Sequence, residues 1–209
     1  MSTEMLLVIG AGGHAKVVID ALQTGNNSSI HIALADDDPT LSDTKILGIP
    51  VVMTAGASQQ SGQHFHIAIG SNRIRERKAQ ECLAKQMIYA NVLHPGAFIA
   101  LSATVKAGCF VAAGAIVGPD AVLGDGCIIN HGAVVDHDCC LSDYCHIAPN
   151  ATLGGNVKVG ACSFIGAGAN VLPGVVIAAD CVVGAGAVVL HDLPEGTKYV
   201  GVPARRIKD

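Results

Sequence analysis

The chain has 209 residues; half are hydrophobic, yet only 3% are aromatic and tryptophan is absent. Charged residues are 14%, against a usual quarter, and the net charge is −4 without a basic run, which argues against a nucleic-acid partner. No apolar stretch is long enough to span a bilayer, and Glu4 ahead of the first apolar run, with Gly-Ala-Gly-Gly close behind it, does not make a signal peptide, so a cytoplasmic location is expected.

Residues 5–9 read as a short strand. Gly10-Ala-Gly-Gly-His-Ala-Lys follows and opens a helical pattern over 14–22. A second strand, 30–35, ends in Asp36-Asp37-Asp38. A third, 64–69, ends in Gly70-Ser71-Asn72, and a charged amphipathic helix is expected over 73–87. Strand, helix and strand in alternation predict a parallel sheet. Gly10-x-Gly12-x-x-Ala15 fits a dinucleotide fingerprint, with Asp36 placed to bond a ribose hydroxyl. Glycines let a backbone approach a phosphate, and a helix N-terminus attracts anions. About ninety residues make only half of a doubly wound fold, enough for one nucleotide half. The reading is a nucleotide-linked ligand, its diphosphate near Gly12, Gly13 and His14 and its base or ribose near Asp36 and Asp37. The bland alternative is a tight strand–helix turn without a ligand.

From Leu93 to Val189 every sixth residue is aliphatic, seventeen in succession. That period is neither helical nor β; it is the signature of a hexapeptide-repeat parallel β-helix. Three hexads make one eighteen-residue coil, one hexad to each side of a triangular prism. The residue two before each aliphatic is small throughout, and five of the eight cysteines (Cys109, Cys127, Cys139, Cys145, Cys181) fill that inward slot. They read as buried thiols in a reducing compartment. No C-x-x-C pair suggests structural zinc. Three residues past the aliphatic stands Gly, Asp or Asn in thirteen of sixteen hexads, the exceptions being Ser102, Tyr144 and Cys162; a sharp corner needs a left-handed backbone there.

The residue just before each aliphatic should point outward, and ten of sixteen are large and apolar. Such a wall calls for burial against identical subunits, most simply around a threefold axis. His146 interrupts the column Phe110, Ile128, Phe164, Val182.

Polar residues gather at Asn130, His131, Asp136, His137, Asp138, Asp143 and His146. His137 falls at a corner, with Gly155 one coil later leaving room for a substrate and offering an N–H to an oxyanion. Asp138 can raise the basicity of His137. For any single member a solvated corner residue is the plain alternative; the clustering favours a site. His137 and His146 are nine residues, half a coil, apart, so a site using both must lie between subunits.

Ile-Gly-Ala-Gly-Gly-His-Ala-Lys-Val-Val near the N-terminus, Val-Asp-His-Asp-Cys with His-Ile-Ala-Pro in the middle, and Gly-Val-Pro-Ala-Arg-Arg-Ile at the end together resemble the bacterial sugar O-/N-acyltransferases of the sialic-acid acetyltransferase type. The resemblance is greatest to the UDP-4-amino-sugar N-acetyltransferases of the bacillosamine pathway. It implies an α/β, half-Rossmann-like domain over 1–90 that holds a UDP-sugar. A left-handed parallel β-helix with a short tail follows over 91–209. It also implies a homotrimer using acetyl-CoA as co-substrate, with no metal. By the same resemblance His137 is the general base and Asp138, where the family has Glu or Asp, assists it. Gly12, Gly13, His14, Asp36, Asp37, Gly70 and Asn130 are substrate contacts. His146, Gly155, Ala167 and Ala185 are coenzyme A contacts. Within the enzyme reading, an O-acetyltransferase of the sialic-acid type is the nearest alternative. Outside it stand a zinc-dependent enzyme like the γ-class carbonic anhydrases, recruiting His131, His137 and His146, and a non-catalytic β-helix that senses a nucleotide sugar.

Overall fold

The computed structural model describes residues 4–25 and 30–207, and the chain divides into two compact units, Met1–Pro95 and Gly96–Asp209. In the first, β1 (Glu4–Ile9), α1 (Gly13–Thr24), β2 (Ile30–Asp36), β3 (Lys45–Ile46), β4 (Ile49–Met53), β5 (His64–Ile67), α2 (Asn72–Leu83) and β6 (Ile88–Tyr89) follow in chain order. They form one sheet in the order β3-β4-β2-β1-β5-β6. All its pairings are parallel except the hairpin β3–β4. Leu7, Val8, Ile9 and Phe65 on the strands and Ala15, Val18 and Ile19 on α1 are almost fully buried. The apolar runs of β1 and β5 suit a sheet whose central strands are covered on both faces.

Two expectations for this unit differ from the structure. The strand expected over 64–69 stops at Ile67. The helix expected over 73–87 ends at Leu83. Gln86 takes a left-handed backbone (φ 59°), and the apolar Met87 begins the approach to β6 rather than a further helical turn. The hairpin β3–β4 was not legible, because Leu47-Gly48 makes its turn within a stretch too short to show strand alternation.

The second unit is a three-sided parallel β-helix. Each side is a stack of two-residue strands made of the register aliphatic and the residue before it, as in Ile128–Ile129 and His146–Ile147. Successive coils pair at eighteen-residue steps, Phe110↔Ile128, Ile128↔His146 and His146↔Phe164. Backbone hydrogen bonds such as His146 N–H to the Ser163 carbonyl (3.0 Å) tie coil to coil. Inside, the aliphatics and the small slot form one column-by-column core, with Val111, Leu123, Ile129 and Ile147 at 0% exposure.

All eight cysteines are unbridged, and the five in the slot are buried. They do more than fill space. The thiols of Cys109, Cys127, Cys145 and Cys181 donate to the carbonyls of Gly124, Ser142, Gly160 and Pro194 (3.1–3.2 Å), and the Ser163 hydroxyl takes the same role toward Ala178 (2.8 Å). The neighbouring Cys127 thiol and their own burial push Cys109 and Cys145 well above the usual thiol range, so they remain protonated donors.

At the corners, Tyr144 and Cys162 adopt the same left-handed backbone (both φ 58°) as the glycines and asparagines of that position. The ladders above and below impose the turn even where the side chain disfavours it by about 1 kcal/mol. Ser102 is not left-handed; its hydroxyl instead accepts the Asp120 N–H of the next coil (3.0 Å). The outward apolar wall is only partly as expected. Phe98, Ile116, Val176 and Val182 are exposed, but Phe110 (0%), Ile128 (1%) and His146 (8%) are already buried within one chain.

Ile147→Ala removes a fully buried side chain that its coil cannot collapse around. It is expected to lower the unfolding free energy by about 2–5 kcal/mol, measured by denaturant titration, whereas Lys158→Ala on the exposed face leaves it nearly unchanged.

Candidate active site

Two groups of side chains carry chemistry, one in each unit. In the first unit they stand at the C-terminal ends of β1, β2 and β5, where open α/β sheets bind ligands. A cleft of about 180 Å³ is lined there by Ile9, Gly10, Asp36, Asp37, Ile69, Ile74, Arg77 and Lys78. Gly10 is held by packing: its φ is +107°, and a Cβ would lie 2.7 Å from Ile69 Cγ1. Gly12, Gly13 and Gly70 are different, since a Cβ on any of them would meet nothing within 4 Å. Packing does not demand glycine at these three positions, so what their smallness provides is open space. Gly12 is also the N-cap of α1 and supplies no side-chain cap, and the positive end of a helix dipole favours an anion there. His14, half-buried, stands in that first turn.

The two acids are already engaged. Asp36 accepts the Ala11 N–H (2.6 Å) and the Asp38 N–H (2.9 Å), clasping the glycine turn to the end of β2. Asp37 pairs with Lys78 at 2.5 Å, and that hydrogen-bonded ammonium holds its carboxyl below the usual carboxylate range. The fully buried Arg75 donates to the Ile69 and Gly70 carbonyls (3.1 and 3.2 Å) and to Asn72 Oδ1 (2.8 Å). Sequence reasoning missed Arg75, Arg77 and Lys78. They lie inside a run of charges on α2 that reads as a solvated face, and only the fold turns one side of it onto the strand ends.

In the β-helix, His137 stands at the corner between the stack holding Val134–Val135 and the stack holding Cys140–Leu141. Asp138 turns left-handed there (φ 60°), which brings its carboxylate back onto the ring. His137 Nδ1–H donates to Asp138 Oδ2 at 2.7 Å. A second carboxylate, Asp136, fixes the backbone by accepting the His137 N–H (2.7 Å). The hydrogen bond to Asp138, with the charge of Asp136, raises the His137 pKa above the ordinary histidine value. Its Nε2 lies over Gly155: a Cβ on that glycine would be 2.5 Å from both Nε2 and Cε1. An exposed imidazole with its Nδ1 proton held by a carboxylate and its Nε2 beside bare glycine backbone can accept a proton.

The remaining polar residues sort elsewhere. The Asn130 amide meets His146 Nε2 at 3.2 Å, and the His146 ring lies edge-on to Phe164, with centroids 5.1 Å apart. These residues belong to the third stack, opposite the His137 corner. His131, Ala167 and Ala185 share another corner, joined through Asn150 N–H to the His131 carbonyl and Gly186 N–H to the Ala167 carbonyl. Gly155 is therefore separated from Ala167 and Ala185 in one chain. Asp143 caps the Asp125 N–H (2.9 Å) at the remaining corner and has a structural use. His131, His137 and His146 stand apart in one chain, and among the described residues no three His, Cys, Asp or Glu side chains are grouped to hold a metal.

Residues 5–82 match the PglD N-terminal domain, and residues 102–137 and 156–191 match the bacterial transferase hexapeptide (six repeats). Perosamine N-acetyltransferase from Caulobacter crescentus, solved as a variant with CoA and GDP-perosamine, is 40% identical with a TM-score of 0.87, over 98% of this chain and 97% of that one. The chain belongs to this family of hexapeptide-repeat sugar N-acetyltransferases. The acetyltransferase domain of PglB from Neisseria gonorrhoeae, solved with acetyl coenzyme A, is 35% identical with a TM-score of 0.91, over 98% of this chain and all of that one. UDP-N-acetylbacillosamine N-acetyltransferase of Bacillus subtilis is 35% identical over 108 residues. That match spans 51% of the chain and about half the length of this curated relative (50%). Family membership makes the β-helix left-handed, against the usual crossover preference.

Replacing Asp138 with Asn removes the charged acceptor that favours the protonated ring. The His137 pKa followed by NMR titration is expected to fall relative to the unaltered protein, while the spectrum of the β-helix is otherwise retained.

Proposed function

We propose that the protein transfers an acetyl group from acetyl-CoA to the amino group of a UDP-linked 4-amino-dideoxy sugar, with His137 as general base. The observation that carries this reading is the His137 imidazole, oriented by Asp138 and facing the bare backbone of Gly155. The first unit binds the nucleotide. The α1 N-terminus with Gly12, Gly13 and His14 takes the diphosphate, and the Asp36–Asp37 cleft beside Gly70 takes the base or ribose. The match to the PglD domain and the likeness to a UDP-sugar enzyme support UDP; the Caulobacter relative was solved with a GDP-sugar.

In the proposed reaction the sugar nitrogen attacks the thioester carbon, and His137 Nε2 takes the proton that nitrogen sheds. The Gly155 N–H faces the oxyanion that develops on the carbonyl oxygen. The C–N bond forms, the C–S bond breaks, and the thiolate leaves to be protonated by the imidazolium. Asp138 keeps Nδ1 protonated and stabilises the charged ring, as an orienting carboxylate does for a base histidine. His146 and Asn130, on the opposite side of the same prism, together with Ala167 and Ala185, contact the substrate and coenzyme A from a neighbouring copy. The exposed Phe98 and Ile116 give that copy an apolar face to cover, in a homotrimer located in the cytoplasm.

His137→Ala is expected to lower kcat by about 10²–10⁴-fold while leaving nucleotide-sugar affinity near its original value by calorimetry; near-normal turnover would overturn the base assignment. The same base sets the acid limb of kcat/KM. The neutral imidazole is the active form, so activity is lost as pH falls through the His137 pKa, which lies above the ordinary value of about 6.5. Asp138→Asn therefore moves that limb to lower pH and reduces the plateau. A panel of UDP- and GDP-linked amino sugars, followed by free-thiol release, should show turnover with the UDP-linked compounds.

A further inference from the structure

Among the described residues Arg75 is the only lysine, arginine, aspartate or glutamate that is buried, with 1% of its surface exposed. It stands near the start of α2 (Asn72–Leu83), in a run of charges whose other members reach solvent. Burying a guanidinium costs desolvation that only well-placed hydrogen bonds offset. Replacing buried charged groups by apolar side chains of similar volume is often neutral or stabilising. Stability alone therefore does not select an arginine at this position, and what its bonds hold in place becomes the question.

The bonds converge on the turn that joins β5 to α2. Arg75 Nη1 donates to the carbonyls of Ile69 and Gly70, and Nη2 donates to Asn72 Oδ1. The Arg75 backbone N–H bonds the Ser71 carbonyl (2.8 Å). Residues 69, 70, 71 and 72 are thus each tied to Arg75, and Ser71, the N-cap of α2, adds no side-chain cap bond of its own. This turn abuts the glycine turn after β1. Ala68 N–H bonds the Ile9 carbonyl (2.7 Å), and a Cβ on Gly10 would lie 2.7 Å from Ile69 Cγ1 and 2.9 Å from the Ala68 carbonyl oxygen. Ile69 lines the same cleft as Gly10, Asp36 and Asp37. Gly70 has its carbonyl held inward by the guanidinium, while the direction a Cβ would take is open. A small shift of residues 69–70 therefore moves Ile69 relative to Gly10 and changes the cleft at the strand ends. A planar fork of donors resists that shift better than a single ammonium, because it meets separate acceptors in fixed directions.

Resting on the reading of the first unit as the nucleotide site, we propose that Arg75 is a positioning residue for nucleotide-sugar binding. It acts from the interior through the Gly70 turn, holding that turn at the spacing from the Gly10–His14 turn at which both border the ligand. The guanidinium fork is what the role requires, rather than bulk or charge alone. Arg75 sets the affinity for the nucleotide sugar and leaves acetyl-CoA binding and the transfer step untouched.

The test compares the unaltered protein with Arg75→Met, Arg75→Lys, Asn72→Ala and the double variant Asn72→Ala/Arg75→Met; Arg73→Gln, at an exposed neighbour, is the control. For each, KM is measured for a UDP-linked 4-amino sugar and for acetyl-CoA, UDP binding is measured by calorimetry, and the thermal transition is recorded. Arg75→Met is expected to raise the KM for the sugar and the Kd for UDP about tenfold or more, with kcat and the KM for acetyl-CoA near their original values. Arg75→Lys should restore part of the loss. Asn72→Ala should weaken UDP binding less, and adding it to Arg75→Met should cost nothing further, because both changes break the same bond. Arg73→Gln should change none of these. A folded Arg75→Met protein with the original UDP affinity overturns the proposal and leaves the nucleotide reading intact, as does an equal rise in KM for both substrates. Should Arg75→Met not fold, Arg75→Lys and Asn72→Ala decide, and unchanged UDP affinity in both overturns the proposal. An unaltered protein that binds neither UDP nor GDP overturns the nucleotide reading itself, before any variant is compared.

Discussion

Each eighteen-residue coil of the β-helix has no stable fold alone; its backbone groups are satisfied only by the coils above and below. This vertical pairing is the constraint on which the rest depends. It fixes side chains one coil apart into columns, so His137 comes to lie over Gly155, and Cys109, Cys127 and Cys145 lie over one another. It also forces Tyr144 and Cys162 into a backbone their side chains disfavour. The same rule explains the thiols. A carbonyl turned inward at a corner must find a donor, and Cys109, Cys127, Cys145 and Cys181 supply one without adding bulk to the core.

The chemistry occupies the places where this regularity is relaxed. At the His137 corner two acids surround one imidazole, one bonding its backbone and the other its ring, so the proposed base is both placed and tuned by local bonds. In the first unit the relaxation is glycine itself: Gly10 is demanded by contact with Ile69 and Ala68, whereas Gly12, Gly13 and Gly70 border open space. A turn built only to join a strand to a helix would need the first of these and not the others.

Much of this was legible in the sequence, because a fixed period translates directly into columns. The inward slot, the outward residue, the corner position and the stacking of His137 on Gly155 all follow from counting. What escaped depends on contacts that counting does not reach. The engagement of Asp36 by the Ala11 N–H and the turning of Lys78 toward Asp37 are set by packing between segments distant in sequence. The β3–β4 hairpin escaped for a different reason, since its strands are too short to show a period. Asp143, which the sequence grouped with the site, is held by the Asp125 N–H at another corner; proximity along the chain was misleading where the prism turns.

His137 and the Asn130–His146 pair face different sides of one chain, so transfer that uses both requires two chains. Mixing subunits tests this directly. A His137→Ala protein and a His146→Ala protein, each impaired alone, are dissociated, combined and reassociated, and acetyl transfer is measured. If the site is shared, sites pairing the intact His137 of one subunit with the intact His146 of the other form in the mixture, and a substantial fraction of activity returns. If the mixture is no more active than its separate components, each chain carries its own complete site and the shared arrangement is wrong.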